Sequence, residues 1–413
     1  MDLSEHLFRR ESGRLVAALT RIFGVHNLAL AEDVVQDAFC RALEVWKVRG
    51  VPENPAAWLM AVARHRALDI VRRERTARTF APELTRTLES EWTAAPAIDE
   101  AFALSAIRDD QLRMMLSCCH PRLPEETQVA LVLNILCGFG APEIAAAFLM
   151  GRAAIEKRLA RGKRVLAASR RLFDLTDADF DARLAAVRRA VYLLFSEGYH
   201  GAGADAAVRS DLCHEALRLT RLLLAHPSAE LPETRALAAL LCLHAARLPG
   251  RLDAAGDLSP LAGQDRSQWD RSLMAEGLLH FERSAAGTIV SAFHLEAAIA
   301  AAHAASPSLA ETDWTTIVAL YDRLLAMAPS PVVGLNRAVA IAERDGADRG
   351  LEALAAIPDR DRLARYPFYP AAFAELELKR GNLDAARAHF SAALAVARNP
   401  TERRFLERRS RGI

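Results

Sequence analysis

Apolar residues recur at helical spacing along most of this chain, and this pattern most constrains its fold. Leu15, Leu19, Ile22 and Phe23 show it near the N-terminus. From about Leu184 onward, long stretches rich in alanine and leucine repeat it. Thr, Val and Ile do not cluster in the alternating runs that are typical of strands, and aromatic residues make up only 6% of the chain. The sequence therefore predicts an all-α protein.

Positive charge is concentrated in two segments, although the net charge is only +1. Residues 64–78 contain six arginines against two acids, and residues 152–171 contain eight basic residues against the single acid Glu156. An acidic stretch, residues 83–110, lies between them. We call these the first and second basic segments. Two basic segments joined by an acidic one indicate two separate contacts with a polyanion such as nucleic acid.

The remaining composition indicates a cytoplasmic protein of about two to four domains, since 413 residues are long for one. No apolar run reaches the roughly 18 residues that a membrane span needs, and the N-terminus is too polar for a signal peptide. Six cysteines lack CxxC spacing, which favours reduced thiols. The run Cys118-Cys119-His120 could hold a metal or a redox centre, but adjacent cysteines chelate one metal poorly, so we predict a structural role. We expect no metal, no cofactor and no membrane contact.

The second basic segment predicts a helix-turn-helix. Residues 141–149 form one short helix, Met150 and Gly151 form the turn, and residues 152–167 form the second helix. Such a pair presents its second helix to the major groove of DNA. The alternative is a solvated helix that is merely rich in basic residues.

The two faces of that second helix have different chemistry. Ile155, Leu159 and Leu166 share the face that we expect to pack inward, and Lys157, Arg161 and Arg164 lie on the opposite face. Bases are read near the start of such a helix, which favours Arg152 and Lys157. Phosphates are left to the remaining cations, which are Arg158, Arg161, Lys163 and Arg164.

The first basic segment belongs to a predicted helix over residues 56–75, after a proline-containing loop at residues 50–55. We expect Leu59, Ala63 and Ile70 to pack inward. The opposite face carries Arg64, His65, Arg72 and Arg75. Cations beside a stiff loop suit a separated DNA strand, and Trp58 could line a pocket for an extruded base. We favour the alternative, that Trp58 is a core residue.

Taken together, the order and spacing of the two segments resemble regions 2 and 4 of extracytoplasmic-function (ECF) sigma factors. Residues 31–46, AEDVVQDAFCRALEVW, resemble the helix that docks on core RNA polymerase. The resemblance implies that Val35, Phe39 and Leu43 hold this helix to its own core. The implied polymerase-binding residues are Glu32, Asp33, Gln36, Asp37 and Phe39.

Residues 54–75 resemble the family segment that captures the −10 promoter element, with His65 where the family usually has Asn. The implied −10 residues are Trp58, Arg64, His65, Arg66, Asp69, Arg72 and Arg73. Residues 151–163 resemble the reader of the −35 element, with Gly151 in place of the usual Ser or Thr. The implied −35 residues are Arg152, Glu156, Lys157, Arg158, Arg161, Lys163 and Arg164.

The resemblance continues into the last 240 or so residues, through phrases such as YLLFSEGYHG, QDRSQWDRSL and PSPVVGLNRAVA. These phrases resemble a subgroup of ECF sigma factors with a C-terminal tetratricopeptide-like extension. Residues 381–400 carry the repeat positions Ala386, Phe390, Ala393 and Pro400, and residues 314–344 resemble a second helix pair. The predicted domains are residues 1–80 (region 2), 81–105 (linker), 106–172 (region 4), 173–290 (helical extension) and 291–413 (repeat array).

The resemblance implies core RNA polymerase and promoter DNA as partners, a possible protein or peptide partner on the helical array, and no enzymatic activity. Three alternatives differ from it. The chain could be a helix-turn-helix regulator with a helical sensor domain, a protein-binding scaffold, or an enzyme. The enzyme hypothesis depends on one candidate carboxylate–histidine cluster: Glu197, His200, Asp205, Asp211, His214 and Glu215. We favour polar bracing between helices for that cluster, because no nucleophile elbow, phosphate loop or HExxH pattern occurs in the sequence.

Overall fold

A computed structural model describes residues 3–77, 104–147, 150–168, 177–200, 208–253 and 256–412. The chain divides into two compact units, Met1–Leu193 and Leu194–Ile413. Across the described residues the regular structure is helical, apart from one isolated bridge between Leu252 and Leu258. The all-α prediction is confirmed. The predicted linker lies outside the described residues over positions 81–103.

Helices of the first unit follow the predicted segments closely, and its predicted break at residues 50–55 is present. Gly50 ends the second helix with a φ of 79°, a left-handed conformation that favours glycine. Arg183 on the last helix donates a hydrogen bond to the carbonyl oxygen of Leu116, so this helix packs on the first unit although its sequence was assigned to the extension. The helices are α1 (Leu3–Phe23), α2 (Leu28–Arg49), α3 (Pro55–Ala77), α4 (Leu104–Cys118), α5 (Glu125–Leu131), α6 (Ala141–Ala147), α7 (Arg152–Ala167) and α8 (Asp177–His200), which continues into the second unit.

Helix α1 lies at the centre of the first unit and packs against α2, α3 and α4. Leu15, Leu19 and Phe23 are fully buried. The chain after α5 continues as a π-helical turn, Val132–Leu136, which we call the π-turn. A Cβ atom on Gly13 would lie 2.1 Å from the carbonyl oxygen of Leu136, so α1 meets the π-turn at backbone distance. The α1–α3 module and the α4–α7 module are therefore docked on each other.

The prediction that Leu43 belongs to the core face of α2 is wrong. The inward face of this helix carries Val35, Ala38, Ala42 and Trp46, all buried. Leu43 was expected to join them, but its side chain is 56% exposed. Each residue turns about 100° around a helix, so a stripe that passes through Ala38, Ala42 and Trp46 leaves Leu43 on the outer side.

Helix α3 differs from its prediction by one position. Leu59 and Ala63 are fully buried as expected, and the stripe continues through Ala67 to Val71. Ile70 was expected to point inward and is only half-buried. The four buried residues follow strict i, i+4 spacing, which sets the inward face and places Ile70 at its margin.

Some helices of the second unit begin at side-chain caps. Asp313 Oδ1 accepts a hydrogen bond from the backbone N–H of Thr316 at 2.9 Å, and Asn399 Oδ1 accepts one from the N–H of Glu402 at 2.8 Å. These contacts fix where two of the helices start. The helices are α9 (Ser210–Leu224), α10 (Pro232–Ala245), α11 (Arg271–Ser284), α12 (Ala292–Ala305), α13 (Trp314–Met327), α14 (Pro331–Asp345), α15 (Ala347–Ala355), α16 (Phe368–Lys379), α17 (Leu383–Ala395) and α18 (Pro400–Arg411).

Three of the four positions that suggested a helical repeat lie in the core, and the fourth, Pro400, is exposed at the start of α18. Ala386, Phe390 and Ala393 on α17 are fully buried, and Phe390 and Ala393 share one apolar cluster with Phe405 of α18. The predicted second pair is present as α13 packed on α14. Gly381 turns the chain between α16 and α17 with a φ of 78°. The description of these pairs as tetratricopeptide-like repeats stays a prediction. None of the helices in the described ranges is both long and apolar enough to cross a membrane.

Candidate polymerase and promoter interfaces

The outer face of α2 is acidic with an apolar component. Asp33, Gln36 and Asp37 are exposed, as a polymerase-binding face requires. Cys40 and Leu43 lie on the same face and are also exposed. Neither residue was predicted as a contact: Cys40 was not singled out, and Leu43 was assigned to the core. Its seven-residue spacing from Gln36 was the available signal, since residues seven apart share a helix face.

Two of the predicted polymerase-binding residues, Phe39 and Glu32, are less exposed to solvent than the other three. Phe39 is half-buried, and its ring stacks on Phe8 of α1 with centroids 4.7 Å apart. Glu32 is half-buried as well. Phe39 therefore holds α2 to α1 as predicted, and its exposed part remains on the outer face.

Helix α3 presents the predicted −10 face beside α2. Its start is fixed by Asn54, whose Oδ1 accepts a hydrogen bond from the N–H of Ala57 at 3.0 Å. Trp58, in this first turn, is half-buried and meets the Trp46 ring edge-on at 5.5 Å. This contact fits the core role that we favoured and still leaves part of the indole accessible.

The cations of α3 differ in how freely they are presented. His65 and Asp69 are exposed, whereas Arg64 and Arg66 are half-buried. Arg66 Nε and Nη2 each lie 3.3 Å from Oδ2 of Asp37. A predicted −10 residue is thus paired with a predicted polymerase residue. The side chains of Arg72 and Arg73 lie outside the described residues.

The helix-turn-helix is formed by α6 and α7. Glu143 accepts a hydrogen bond from the N–H of Gly140 at 2.8 Å, which fixes the start of α6. On α7, Ile155, Leu159 and Leu166 are buried, which confirms the predicted inner face. Gly162 was not singled out, yet a Cβ there would lie 2.9 Å from Leu131 Cδ1, so glycine lets α7 approach α5 closely.

The outer face of α7 is cationic and open. Lys157, Arg161 and Arg164 are exposed, as predicted for a helix that meets DNA. Arg152 is exposed as well and pairs with Glu156 one turn later at 2.7 Å. This pair holds the Arg152 guanidinium near the start of the helix, where base contacts are made.

Two cations that were expected to contact phosphates are engaged by protein carboxylates instead. Arg158 Nη2 lies 2.8 Å from Oε2 of Glu126 on α5. Lys163 Nζ lies 2.6 Å from Oε1 of Glu32 on α2. The second ion pair joins a predicted −35 residue to a predicted polymerase residue across the two modules.

A second polar contact crosses the same boundary. Arg21 of α1 lies 3.4 Å from Oδ1 of Asp110, which is buried on α4. Three of the contacts that join the two modules are the Arg21–Asp110 pair, the Lys163–Glu32 pair and the contact of Gly13 with Leu136. We call the arrangement that they define the docked form. In the docked form, parts of both predicted partner surfaces are occupied by the protein itself.

The thiols of the Cys118-Cys119-His120 run are buried in the first unit. Burial raises the pKa of Cys118 well above its usual value and that of Cys119 to about 12. His120 Nδ1 accepts a hydrogen bond from the N–H of Arg122 at 3.1 Å. Protonated thiols neither ligate metal well nor react as nucleophiles, which supports the structural role. Among the described residues, no group of three or more His, Cys, Asp or Glu side chains is placed to hold a metal ion.

Two carboxylates of the candidate carboxylate–histidine cluster pair with nearby arginines. Asp211 lies 3.5 Å from Arg209, and Glu215 lies 2.7 Å from Arg218, so each carboxylate is held by its own arginine. Burial raises the pKa of Glu197. His214 is exposed, His200 lines a cavity, and Asp205 lies outside the described residues.

Comparison with known proteins accounts for most of the chain. The sigma-70 region 2 family matches residues 7–77, and the sigma-70 region 4 family matches residues 113–166. The chain is an ECF-like sigma factor with a C-terminal extension. Region 2 together with region 4 implies binding to core RNA polymerase and promoter DNA, and it favours this assignment over a regulator that has a helix-turn-helix alone.

The comparisons also extend beyond the two sigma regions. A family of unknown function, DUF6596, matches residues 183–285 of this sigma factor. An uncharacterised protein of Rhizobium meliloti (strain 1021) is 39% identical over 394 residues, which cover 95% of this chain and 91% of that protein. The similarity to that relative therefore includes the extension. No solved structure matches the chain.

Proposed function

We propose that this sigma factor binds core polymerase through the outer face of α2, the −10 element through α3 and the −35 element through α7. We further propose that its fused second unit regulates initiation or mediates a protein contact. The observation that carries the proposal is the placement of an exposed acidic face on α2 directly beside the cationic α3. The third surface needed for promoter recognition is the exposed cationic face of α7 in the separate helix-turn-helix.

The docked form must open during initiation. The −35 and −10 elements lie about 25 base pairs apart, as their names indicate, which is roughly 85 Å of duplex at 3.4 Å per base pair. In the docked form α7 is in ion-pair contact with α2 through Lys163 and Glu32. One molecule cannot hold both elements in that arrangement, so we infer that the α4–α7 module separates from α1–α3 on the promoter.

The two internal ion pairs suggest what drives the opening. Glu32 holds Lys163, and Asp37 holds Arg66. Both carboxylates are proposed polymerase ligands, and both cations are proposed DNA ligands. Basic polymerase residues that compete for Glu32 and Asp37 would release the two cations, so polymerase binding would also prepare the DNA-binding surfaces.

The role of the second unit is supported by its surface. Leu278, Leu279, Ile289 and Val290 are exposed, and exposed apolar side chains in one stretch of chain are typical of a protein-contact surface. If the second unit inhibits, a fragment of residues 1–193, the first compact unit, will transcribe more than the full chain. Equal or lower activity of the fragment would rule out inhibition. The fragment keeps residues 177–193 of α8, because Arg183 in this part of the helix contacts Leu116.

Run-off transcription tests the central proposal, with sigma-free core polymerase and a pool of genomic promoter fragments from the source bacterium. We expect discrete new transcripts from the full chain. The double substitution D33R/D37R should abolish core binding while leaving helicity intact. D384R, at an exposed and ion-paired aspartate of α17, is the matched control and should bind core normally. Normal core binding by D33R/D37R would show that the α2 assignment is wrong, and the protein would then be better explained as a helix-turn-helix regulator.

A further inference from the structure

A cavity of about 260 Å³ lies within the second unit, and it has a polar end and an apolar wall. It lies among α14, α16, α18 and the loop that carries Leu258, Ser259 and Pro260. Its volume is just below the range of about 300–1,000 Å³ that is typical of ligand pockets, so it suits a small ligand. The polar end includes His200, Arg251 and Asn336, and the apolar wall includes Leu335, Val339 and Phe405.

Arg251 is held in place at this cavity with hydrogen-bonding capacity to spare. Its Nη2 donates to the carbonyl oxygen of Tyr199 at 3.1 Å, and its guanidinium carbon lies 4.6 Å from the centroid of the Tyr199 ring. Its Nε is buried and has no hydrogen-bond partner among the described residues. A buried donor of this kind costs free energy unless something pairs with it.

Positive charge is in excess around the polar end. Desolvation and the nearby guanidinium groups of Arg251, Arg247 and Arg398 lower the pKa of His200, whose side chain is still partly open to solvent. Among the described lining residues Glu402 is the single carboxylate, and Arg398 is paired with it, donating to Oε1 from Nε at 3.1 Å. The cavity's own acid is thus already neutralised.

We propose that this cavity binds a small organic anion with a carboxylate or phosphate head and an apolar body. The head would accept hydrogen bonds from Arg251, whose planar fork suits either group, and the body would lie along Val339 and Phe405. The observations that carry the proposal are the unpaired guanidinium donor, the excess of arginines and the apolar wall of one cavity. The site does not depend on the proposed transcription function, since no residue of the first unit takes part.

Calorimetric titration of the full chain tests the site with phenyl phosphate, benzoate and inorganic phosphate as probes. We expect phenyl phosphate or benzoate to bind more tightly than inorganic phosphate. R251Q should weaken that binding about tenfold or more, because it removes a charge-assisted hydrogen bond. V339F should abolish it by filling the cavity, since Val339 is partly exposed to that space. R349Q, at an exposed ion-paired arginine of α15, is the matched control and should change nothing.

Three results would overturn the proposal. The first is that neither organic probe binds the wild-type chain at millimolar concentration. The second is that V339F, which leaves the charge unchanged and whose fold is checked by thermal unfolding, binds as the wild type does. The third is that inorganic phosphate binds as tightly as phenyl phosphate, because the apolar wall would then have no role.

Discussion

Breaking the Lys163–Glu32 ion pair should loosen the docked form by a measurable amount. The two side chains are 29% and 27% exposed, so the pair is neither a free surface pair nor a buried one. Coulomb attraction between unit charges 4 Å apart ranges from about 1 kcal/mol in water to about 4 kcal/mol near a protein surface. Desolvation and lost side-chain entropy reduce this to a net contribution of about 1 kcal/mol. K163Q should therefore lower the ratio of docked to separated molecules about fivefold.

The measurement needs a conformational readout, because both residues are also proposed to contact partners. Cys40 on α2 is exposed and the other five cysteines are buried, so Cys40 provides one dye site. Arg161 on α7 is exposed, and R161C provides the other. Single-molecule energy transfer between the dyes, without polymerase or DNA, reports the docked fraction. The swapped double variant E32K/K163E should restore the docked fraction that either single charge reversal lowers.

A control within one module makes the test specific. E126Q breaks the Arg158–Glu126 pair, which lies wholly inside the α4–α7 module, and should leave the docked fraction unchanged. If K163Q and E126Q gave the same distribution, the ion pair would not stabilise the docked form. If the swap failed to restore what the single reversals lost, the effect would come from something other than the pairing of these two charges.

Three further predictions follow from packing and burial. G13A should separate the modules more than K163Q in the same energy-transfer assay. The added Cβ would lie 2.1 Å from the carbonyl oxygen of Leu136, and overpacking of this kind costs about 1–3 kcal/mol. An unchanged distribution would contradict the close approach of the two backbones. F390A should lower the free energy of unfolding of the second unit by about 3–5 kcal/mol in urea titrations, because Phe390 is fully buried. Acid should destabilise the second unit. Burial and the nearby guanidinium groups of Arg247 and Arg266 lower the pKa of His303 from 6.5 to about 4. Between these two pH values the unfolded chain binds more protons than the folded chain, so the free energy of unfolding falls as the pH drops toward 4. His303 alone should account for a loss of about 2 kcal/mol by pH 5, so H303Q should make the acid decline shallower by that amount, and an unchanged decline would contradict the assignment.

The sequence predicted best where local periodicity decides the outcome. Ile155, Leu159 and Leu166 pack inward because strict helical spacing gives α7 one apolar face. Leu43 was assigned wrongly and Ile70 is only half-buried, because an apolar residue at the margin of a stripe can face either way. Its burial depends on the neighbouring helix, and periodicity does not contain that information.

Contacts that are distant in sequence could not be predicted from spacing. Glu32 and Lys163 were each assigned to an external partner, and nothing in either segment indicated that they pair with each other. The cavity of the second unit is a similar case. His200, Arg251 and Asn336 come from three separate stretches of the chain, and only the packing of the helices brings them together at the polar end of the cavity.

The same two carboxylates connect the polymerase and DNA surfaces, and this gives the docked form a thermodynamic consequence. Glu32 and Asp37 hold Lys163 and Arg66 in the free chain, so each DNA cation must give up its pair before it meets a phosphate. If the half-buried Lys163–Glu32 pair contributes about 1 kcal/mol and the more exposed Arg66–Asp37 pair about 0.3 kcal/mol, DNA affinity of the free protein is reduced roughly tenfold relative to a chain whose cations are released. Under the proposed function polymerase supplies that release by taking over the carboxylates. Linkage requires the effect to be reciprocal, so promoter DNA that captures the two cations must strengthen polymerase binding by the same factor.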